Sequence, residues 1–449
     1  MKKICLLRSS CDSHRQEFRK LRKNLEGVYD FTIYPQEADI IISFMCAASA
    51  VQLHDAAVDL LYVKNVKKAG ATFIVAGCIV DALGKELLLS FTHIDYAFTR
   101  ANFVQDILDL LTQKKAINDY GFEPSESRFH IDIVQGCARK GGWCNFCKQH
   151  YMKVPVCSLP IPEVINRIKE VTSKSNISIV QLDGLNTCNY GIDIDDHKPK
   201  LHLLIQEISK IPEIRLIDVS SVTVGDIYDE LAEELANNPK VHLIEMGIQS
   251  GSDKMLEAMN IHSTSAQIQH YLDKFAHKAL HTIVVIGHPG ETMETVNETI
   301  AMIKRNNLWH VHVNHLISTV GTPSSKIPAL PRDEFNSYFN KVCKEVSRMR
   351  EDFLKSAKET MTDAYFEKYT YYEDDDTLSI DAIPAHFYAS RFCFFVKKAS
   401  SSKYYDLVKN LRGGDKIKVH ISEFIDDETQ DNTAHVRLCF DRLEVVEIE

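Results

Sequence analysis

Between about residues 126 and 331 the chain repeats one unit six times, a short apolar run followed by an amphipathic stretch at helical spacing. The apolar runs lie near 130–135, 178–183, 214–219, 242–249, 281–287 and 311–318, and the helical stretches include Ile161–Thr172, 227–235 and 292–303. Six strands alternating with helices predict an open parallel α/β barrel, a (β/α)6 arrangement, whose chemistry belongs at the C-terminal strand ends.

The residues just past those ends carry the chemistry. Cys137, Cys144 and Cys147 follow the first run, His130-Ile131-Asp132-Ile133-Val134-Gln135-Gly136. Three thiolates in one strand-following loop suit an iron–sulfur cluster that keeps one iron open, and an open iron implies a cluster that binds substrate. Taken alone, Cys144-Asn145-Phe146-Cys147 also fits a zinc site or a redox dithiol. The later strand ends offer Asp183-Gly184-Leu185-Asn186, Ser220-Ser221, Gln249-Ser250-Gly251-Ser252 and Gly287-His288-Pro289-Gly290-Glu291-Thr292. Each is ordinary loop chemistry in isolation, but their recurrence after successive strands points to a shared pocket.

Two further segments flank this unit. Residues 1–118 alternate strand-like runs at 4–7, 39–44, 72–76 and 94–98 with helical patterns, a small parallel α/β domain. Cys11, Cys46 and Cys78 each follow one of its strands, so three loops on one face would each offer a thiolate. A lone cysteine more often packs as a small buried hydrophobe; three at equivalent positions favour ligation. After Pro331 a charged helical linker over 332–364 leads to a tail over 365–449. Runs at 392–397, 416–421 and 435–440, with a tight turn at Gly413-Gly414-Asp415, predict a small antiparallel β-barrel there.

Charge and composition limit the partners. The chain has 449 residues, 12 cysteines and a formal net charge of −10, so broad attraction to nucleic acid is not advertised. From Ser401 to Glu449 there are 7 Lys and Arg against 11 Asp and Glu, an odd surface for a phosphate backbone. No stretch approaches the roughly 20 apolar residues of a membrane helix, and the N-terminus turns polar at Arg8-Ser9-Ser10, so a cytoplasmic protein with no membrane partner is expected. Cysteines in such a chain are thiols or metal ligands rather than a disulfide framework.

Motifs in sequence order carry a resemblance along nearly the whole chain. Ser10-Cys11-Asp12-Ser13, Ala38-Asp39-Ile40-Ile41-Ile42 leading to Cys46, and Ala76-Gly77-Cys78 are followed by Leu182-Asp183-Gly184-Leu185-Asn186 leading to Tyr190-Gly191, Ile248-Gln249-Ser250-Gly251-Ser252, Gly287-His288-Pro289-Gly290-Glu291-Thr292 and Gly321-Thr322-Pro323. This resembles the radical S-adenosylmethionine (SAM) methylthiotransferases. The resemblance implies a flavodoxin-like N-terminal domain with an auxiliary 4Fe–4S cluster on Cys11, Cys46 and Cys78. It also implies a radical SAM barrel with a second 4Fe–4S cluster on Cys137, Cys144 and Cys147, and a TRAM-like C-terminal barrel. Phe146 would pack on the adenine of SAM, with Gly184, Asn186, Ser220 and Gln249 at the positions where family barrels contact it. One SAM would methylate sulfur on the auxiliary cluster and a second would be cleaved to a radical that activates a C–H bond. A reductase such as flavodoxin or ferredoxin would supply electrons.

The chain departs from the family pattern in two places. Six residues, Ala138-Arg139-Lys140-Gly141-Gly142-Trp143, separate the first two cysteines where the family has three; a longer loop costs little closure entropy, and its glycines let it fold back. The Arg-rich stretch that follows the triplet in the family is Lys148-Gln149-His150-Tyr151-Met152-Lys153-Val154-Pro155-Val156-Cys157 here, which weakens the tRNA expectation. The leading expectation is therefore methylthiolation of a polypeptide, a ribosomal protein or a ribosomally made precursor peptide. The alternatives are methylthiolation of a modified adenosine in tRNA, a radical SAM enzyme that inserts sulfur or methylates without methylthio transfer, and a non-catalytic iron–sulfur or sensing module. His150 is expected to be bland, Cys188 to lie near the pocket, and Cys5, Cys343, Cys393 and Cys439 to be core or surface thiols.

Overall fold

The computed structural model describes residues 1–7, 12–47, 50–100, 102–117, 120–122, 126–139, 142–147, 155–316, 318, 321–358, 360–372, 377–389, 391–397, 402–426 and 436–446. Three sheets follow one another along the chain. The first holds β1 (Lys3–Leu7), β2 (Asp30–Thr32), β3 (Ile40–Phe44), β4 (Thr72–Ala76) and β5 (Tyr96–Phe98), all parallel, in the order β2-β1-β3-β4-β5. That is the flavodoxin-like order. The short β2 was not anticipated: only three residues long and partly exposed, it carries too weak a pattern. Buried Ile40, Ile41, Ile42 and Phe44 show why β3 lies inside the sheet with both faces covered.

The second sheet contains the six expected parallel strands, β6 (Arg128–Gln135), β8 (Ile179–Gly184), β9 (Leu216–Thr223), β10 (Val241–Gln249), β11 (Ala279–Ile286) and β12 (Val311–His315). A two-residue strand, β7 (Cys157–Ser158), pairs antiparallel on the outer edge of β6, giving the open order β12-β11-β10-β9-β8-β6-β7. Strand β9 runs further than expected, so Ser220 and Ser221 lie within it rather than after it.

Alternation along these strands separates two faces. Phe129, Ile131, Ile133, Val180, Leu182, Ile217, Val219, Ile244 and Met246 join the main core beneath the helices. The other face is polar. Its members bond laterally from strand to strand: Arg128 to Gln181 at 3.3 Å, His130 to Asp183 at 3.2 Å, Gln181 to Ser220 at 3.0 Å, and His281 to Glu245 at 3.2 Å.

The helix Arg332–Ala357 then leads into a closed barrel of β13 (Met361–Tyr372), β14 (Thr377–Pro384), β15 (Arg391–Lys397), β16 (Lys416–Asp426) and β17 (Val436–Val445). Two expectations need correction. The linker is helical only to Ala357, because β13 already begins at Met361; and β13 and β14 were overlooked because the acidic Glu373-Asp374-Asp375-Asp376 between them masks a hairpin. The barrel is antiparallel except for the pair β15 with β17.

This barrel sits against the N-terminal ends of the central strands, opposite the cysteine triplet. Arg128 bonds Glu367 at 2.8 Å and pairs with Asp218, Ser178 donates to the Gly413 carbonyl at 2.7 Å, and His242 bridges Asp218 at 2.9 Å and the Pro384 carbonyl at 2.8 Å. Arg215 pairs with Asp415, and Tyr388 stacks on His281 with ring centres 4.0 Å apart. Burial opposes ionisation of Asp218, but Arg128 and His242 outweigh it and hold the carboxyl well below the usual range.

Candidate active site

Strand β6 ends at Gln135, and the cysteine loop begins one residue later. Its ends are pinned by the amide of Ala138 donating to Asn189 Oδ1 at 2.8 Å and by Asn260 donating to the Trp143 carbonyl at 2.6 Å. Asn145, between Cys144 and Cys147, ties the loop further. Its amide N–H donates to the Met259 carbonyl at 3.0 Å, its own carbonyl accepts from Ser324 at 3.1 Å, and its side-chain oxygen meets His288 Nε2 at 3.1 Å. The loop is therefore held from the segments after β10, β11 and β12. His288 lies in the Gly287–Thr292 turn, where Glu291 accepts from the Gly287 amide at 2.6 Å. Burial pushes the Glu291 carboxyl up to about 7, the Gly287 N–H partly offsetting it.

Cys137, Cys144 and Cys147 are all half-buried. Burial first, then the nearby Cys144 and Cys147, push the Cys137 thiol up to about 12, against the pull of Asn186 and Arg139. Asn186 Nδ2 stands 3.8 Å from Cys137 Sγ, and Arg139 Nη1 stands 2.7 Å from Cys144 Sγ. Among the described residues no group of three His, Cys, Asp or Glu could hold a single metal ion. Three sulfurs on one loop that repel as thiolates fit a cationic iron core, which relieves that repulsion.

The SAM-contact expectations fall as follows. Phe146 packs half-buried against the main core. Gly184 ends β8 where a Cβ would come within 2.7 Å of Val134 Cγ1 and 2.9 Å of its carbonyl, so glycine permits the close pairing with β6. Asn186 is wholly buried, and its amide also reaches Asp226 at 2.6 Å and Asn189 at 3.0 Å. Ser220 is buried too, accepting from Gln181 through its hydroxyl and from Thr187 through its carbonyl at 2.7 Å. Gln249 takes a left-handed backbone (φ +62°), and its amide lies where a Cβ on residue 247 would be 2.5 Å away.

In the first sheet Cys46 follows β3, and Cys78 follows β4 at the start of the helix Cys78–Leu83. β3 and β4 are neighbours, so Cys46 and Cys78 follow two adjacent parallel strands on the same edge. Cys11 and His150 lie outside the described residues. One of the contacts between this domain and the central barrel runs through Arg100: Asp81 in the Cys78 helix accepts from the Arg100 amide at 3.1 Å, and the Arg100 guanidinium pairs with Asp132 of β6 at 2.7 Å.

Of the remaining cysteines, Cys188 lies within electrostatic reach of Asp226 and Arg139. Cys188 is buried 3.7 Å from the Thr223 carbonyl, and burial pushes its thiol up to about 12. Cys5 and Cys343 are buried and pushed up to about 11, chiefly by burial, Cys393 and Cys439 are buried partners across β15 and β17, and Cys157 is exposed. Sequence reading missed Arg139, Asp226 and the polar strand face; the alternation His130-Ile131-Asp132-Ile133 was the signal for the face, whereas no local pattern marks Arg139.

Residues 131–303 match the family model of the radical SAM superfamily. The chain is 23% identical over 448 residues to the ribosomal protein uS12 methylthiotransferase RimO of Clostridium botulinum, covering 94% of this chain and 96% of that one. It is 26% identical over 361 residues to the tRNA-2-methylthio-N(6)-dimethylallyladenosine synthase of a Nitratiruptor species, covering 76% and 79%. Among solved structures, the radical S-adenosylmethionine methyltransferase TsrM of Kitasatospora setae, with tryptophan and a SAM analogue bound, superposes with a TM-score of 0.52 at 10% identity, covering 78% of this chain and 89% of that one. That likeness concerns the fold alone.

Proposed function

We propose that this chain, similar to radical SAM methylthiotransferases, inserts a methylthio group at an unactivated C–H bond of a polypeptide, a ribosomal protein or a ribosomally made precursor peptide. The observation that carries the choice of polypeptide is charge. The chain is net negative, and its tail from Ser401 has 7 basic against 11 acidic side chains, which attracts basic protein and repels a phosphate backbone. The relative matched along almost the whole chain, through the C-terminal barrel, also acts on a ribosomal protein by its name.

In this reading Cys137, Cys144 and Cys147 hold the SAM-cleaving 4Fe–4S cluster, and Cys11, Cys46 and Cys78 hold the auxiliary one. The bound cofactors supply reductive cleavage of SAM, removal of hydrogen from the substrate carbon, and the sulfur with its methyl group. The chain's own work is positioning and exclusion of water. Asn145 and His288 clamp the cysteine loop to the opposite side of the barrel mouth. The Arg100–Asp132 pair fixes the first sheet, with Cys46 and Cys78, against the strand that leads to Cys137. The C-terminal barrel seals the other end of the strands, so solvent and substrate enter from the cysteine side.

A tRNA substrate is the second reading, favoured by the match to the Nitratiruptor enzyme. Mass spectrometry after anaerobic turnover separates the two. A gain of one sulfur and one carbon on a basic ribosomal protein or a precursor peptide, with none on tRNA, supports the proposal. The same gain on tRNA alone overturns it.

A further inference from the structure

The six-residue spacer between Cys137 and Cys144 does more than lengthen a loop. Within it the Gly142 amide donates to the Arg139 carbonyl at 3.3 Å, and the Arg139 side chain is only 7% exposed. There Nη1 lies 2.7 Å from Cys144 Sγ, and Nε lies 3.9 Å from the buried carboxylate of Asp226. Nε is buried and makes no hydrogen bond. Asp226 in turn accepts from Asn186 at 2.6 Å, and the same Asn186 amide faces Cys137 Sγ at 3.8 Å. A buried cation, a buried anion and a buried amide thus link the first two cysteines of the triplet.

An arginine is always charged, and a guanidinium kept from water interacts strongly with neighbouring charge. Sulfur bound to iron still accepts hydrogen bonds, and hydrogen bonds to the sulfurs, net charge and solvent exposure set the potential of an iron–sulfur cluster. We propose that Arg139, delivered by the long spacer and held by Asp226, raises the reduction potential of the cluster on Cys137, Cys144 and Cys147, making the electron it must accept easier to supply. The argument rests on the cluster assignment above. Adding an electron makes the cluster more negative, so a fixed cation beside one ligand stabilises the reduced state, and the neighbouring Asp226 carboxylate tempers it.

The test is a dithionite titration of the reconstituted full-length protein, followed by electron paramagnetic resonance, in a C46A/C78A background so that one cluster remains. The midpoint is expected to fall in R139Q, to fall less in R139K, which keeps the charge, and to rise in D226N, which removes the opposing anion. An R139Q midpoint equal to that of the parent overturns the inference. If R139Q fails to hold iron, R139K decides: a midpoint below that of the parent supports the proposal, and one equal to or above it overturns it. A parent chain that holds no iron instead overturns the cluster assignment, a result distinct from failure of the Arg139 inference.

Discussion

The two ends of the central barrel are built from the same strands but by opposite rules. At the C-terminal end the chain runs into loops whose described side chains include the three thiols, the amides of Asn145 and Asn186 and the buried guanidinium of Arg139. At the N-terminal end the strands start in a dry seam, where Arg128, Asp218, His242 and Glu367 pair among themselves and against the C-terminal barrel. Changes at the seam should cost stability and leave chemistry intact, and changes at the mouth should do the reverse.

Breaking the seam gives the largest expected effect. D218A leaves Arg128 and His242 without their shared partner in a fully buried site, which should cost about 3–5 kcal/mol in denaturant unfolding. Formation of 5′-deoxyadenosine per folded chain should remain near that of the wild type. Loss of that activity in a chain that still folds would erase the distinction between the two ends.

A smaller and different effect is expected at Arg100. R100A removes the pair with Asp132, partly exposed and worth about 0.2–1 kcal/mol, so melting should shift little. Product per 5′-deoxyadenosine should fall several-fold because the tie between the Cys78 helix and β6 is lost. Unchanged coupling would show that this contact is structural only.

The last effect is a pH slope. His310 is buried at the seam beside Tyr388, with His281, Arg350 and His312 around it, and burial chiefly, aided by these neighbours, lowers its pKa from 6.5 to about 3. The unfolded chain takes up a proton below pH 6.5 and the folded chain does not. Stability from this group is thus complete above that pH and is lost as pH falls towards 3, by at most about 1.4 kcal/mol per pH unit. H310Q should flatten the slope between pH 6 and 4 in thermal melts.

Much of this was legible in the sequence, but unevenly. Six parallel strands and the cysteine triplet stand out because they are periodic or closely spaced, and the helix Ile161–Thr172 matches its expected bounds. The docking of the C-terminal barrel on the seam depends on pairs such as Arg128 with Glu367 and Ser178 with Gly413, more than two hundred residues apart, which no local pattern encodes. The strands β13 and β14 were hidden by the acidic sequence between them, and Arg139 gains its meaning only from Asp226, which lies on another loop.

Iron and acid-labile sulfide analysis of the anaerobically reconstituted chain tests the central claim most directly. The account predicts about eight irons in the wild type, falling to about four in C46A/C78A and to about four in C137A/C144A/C147A, with 5′-deoxyadenosine formed by the first variant and absent from the second. About four irons in the wild type, or 5′-deoxyadenosine persisting without Cys137, Cys144 and Cys147, would contradict it.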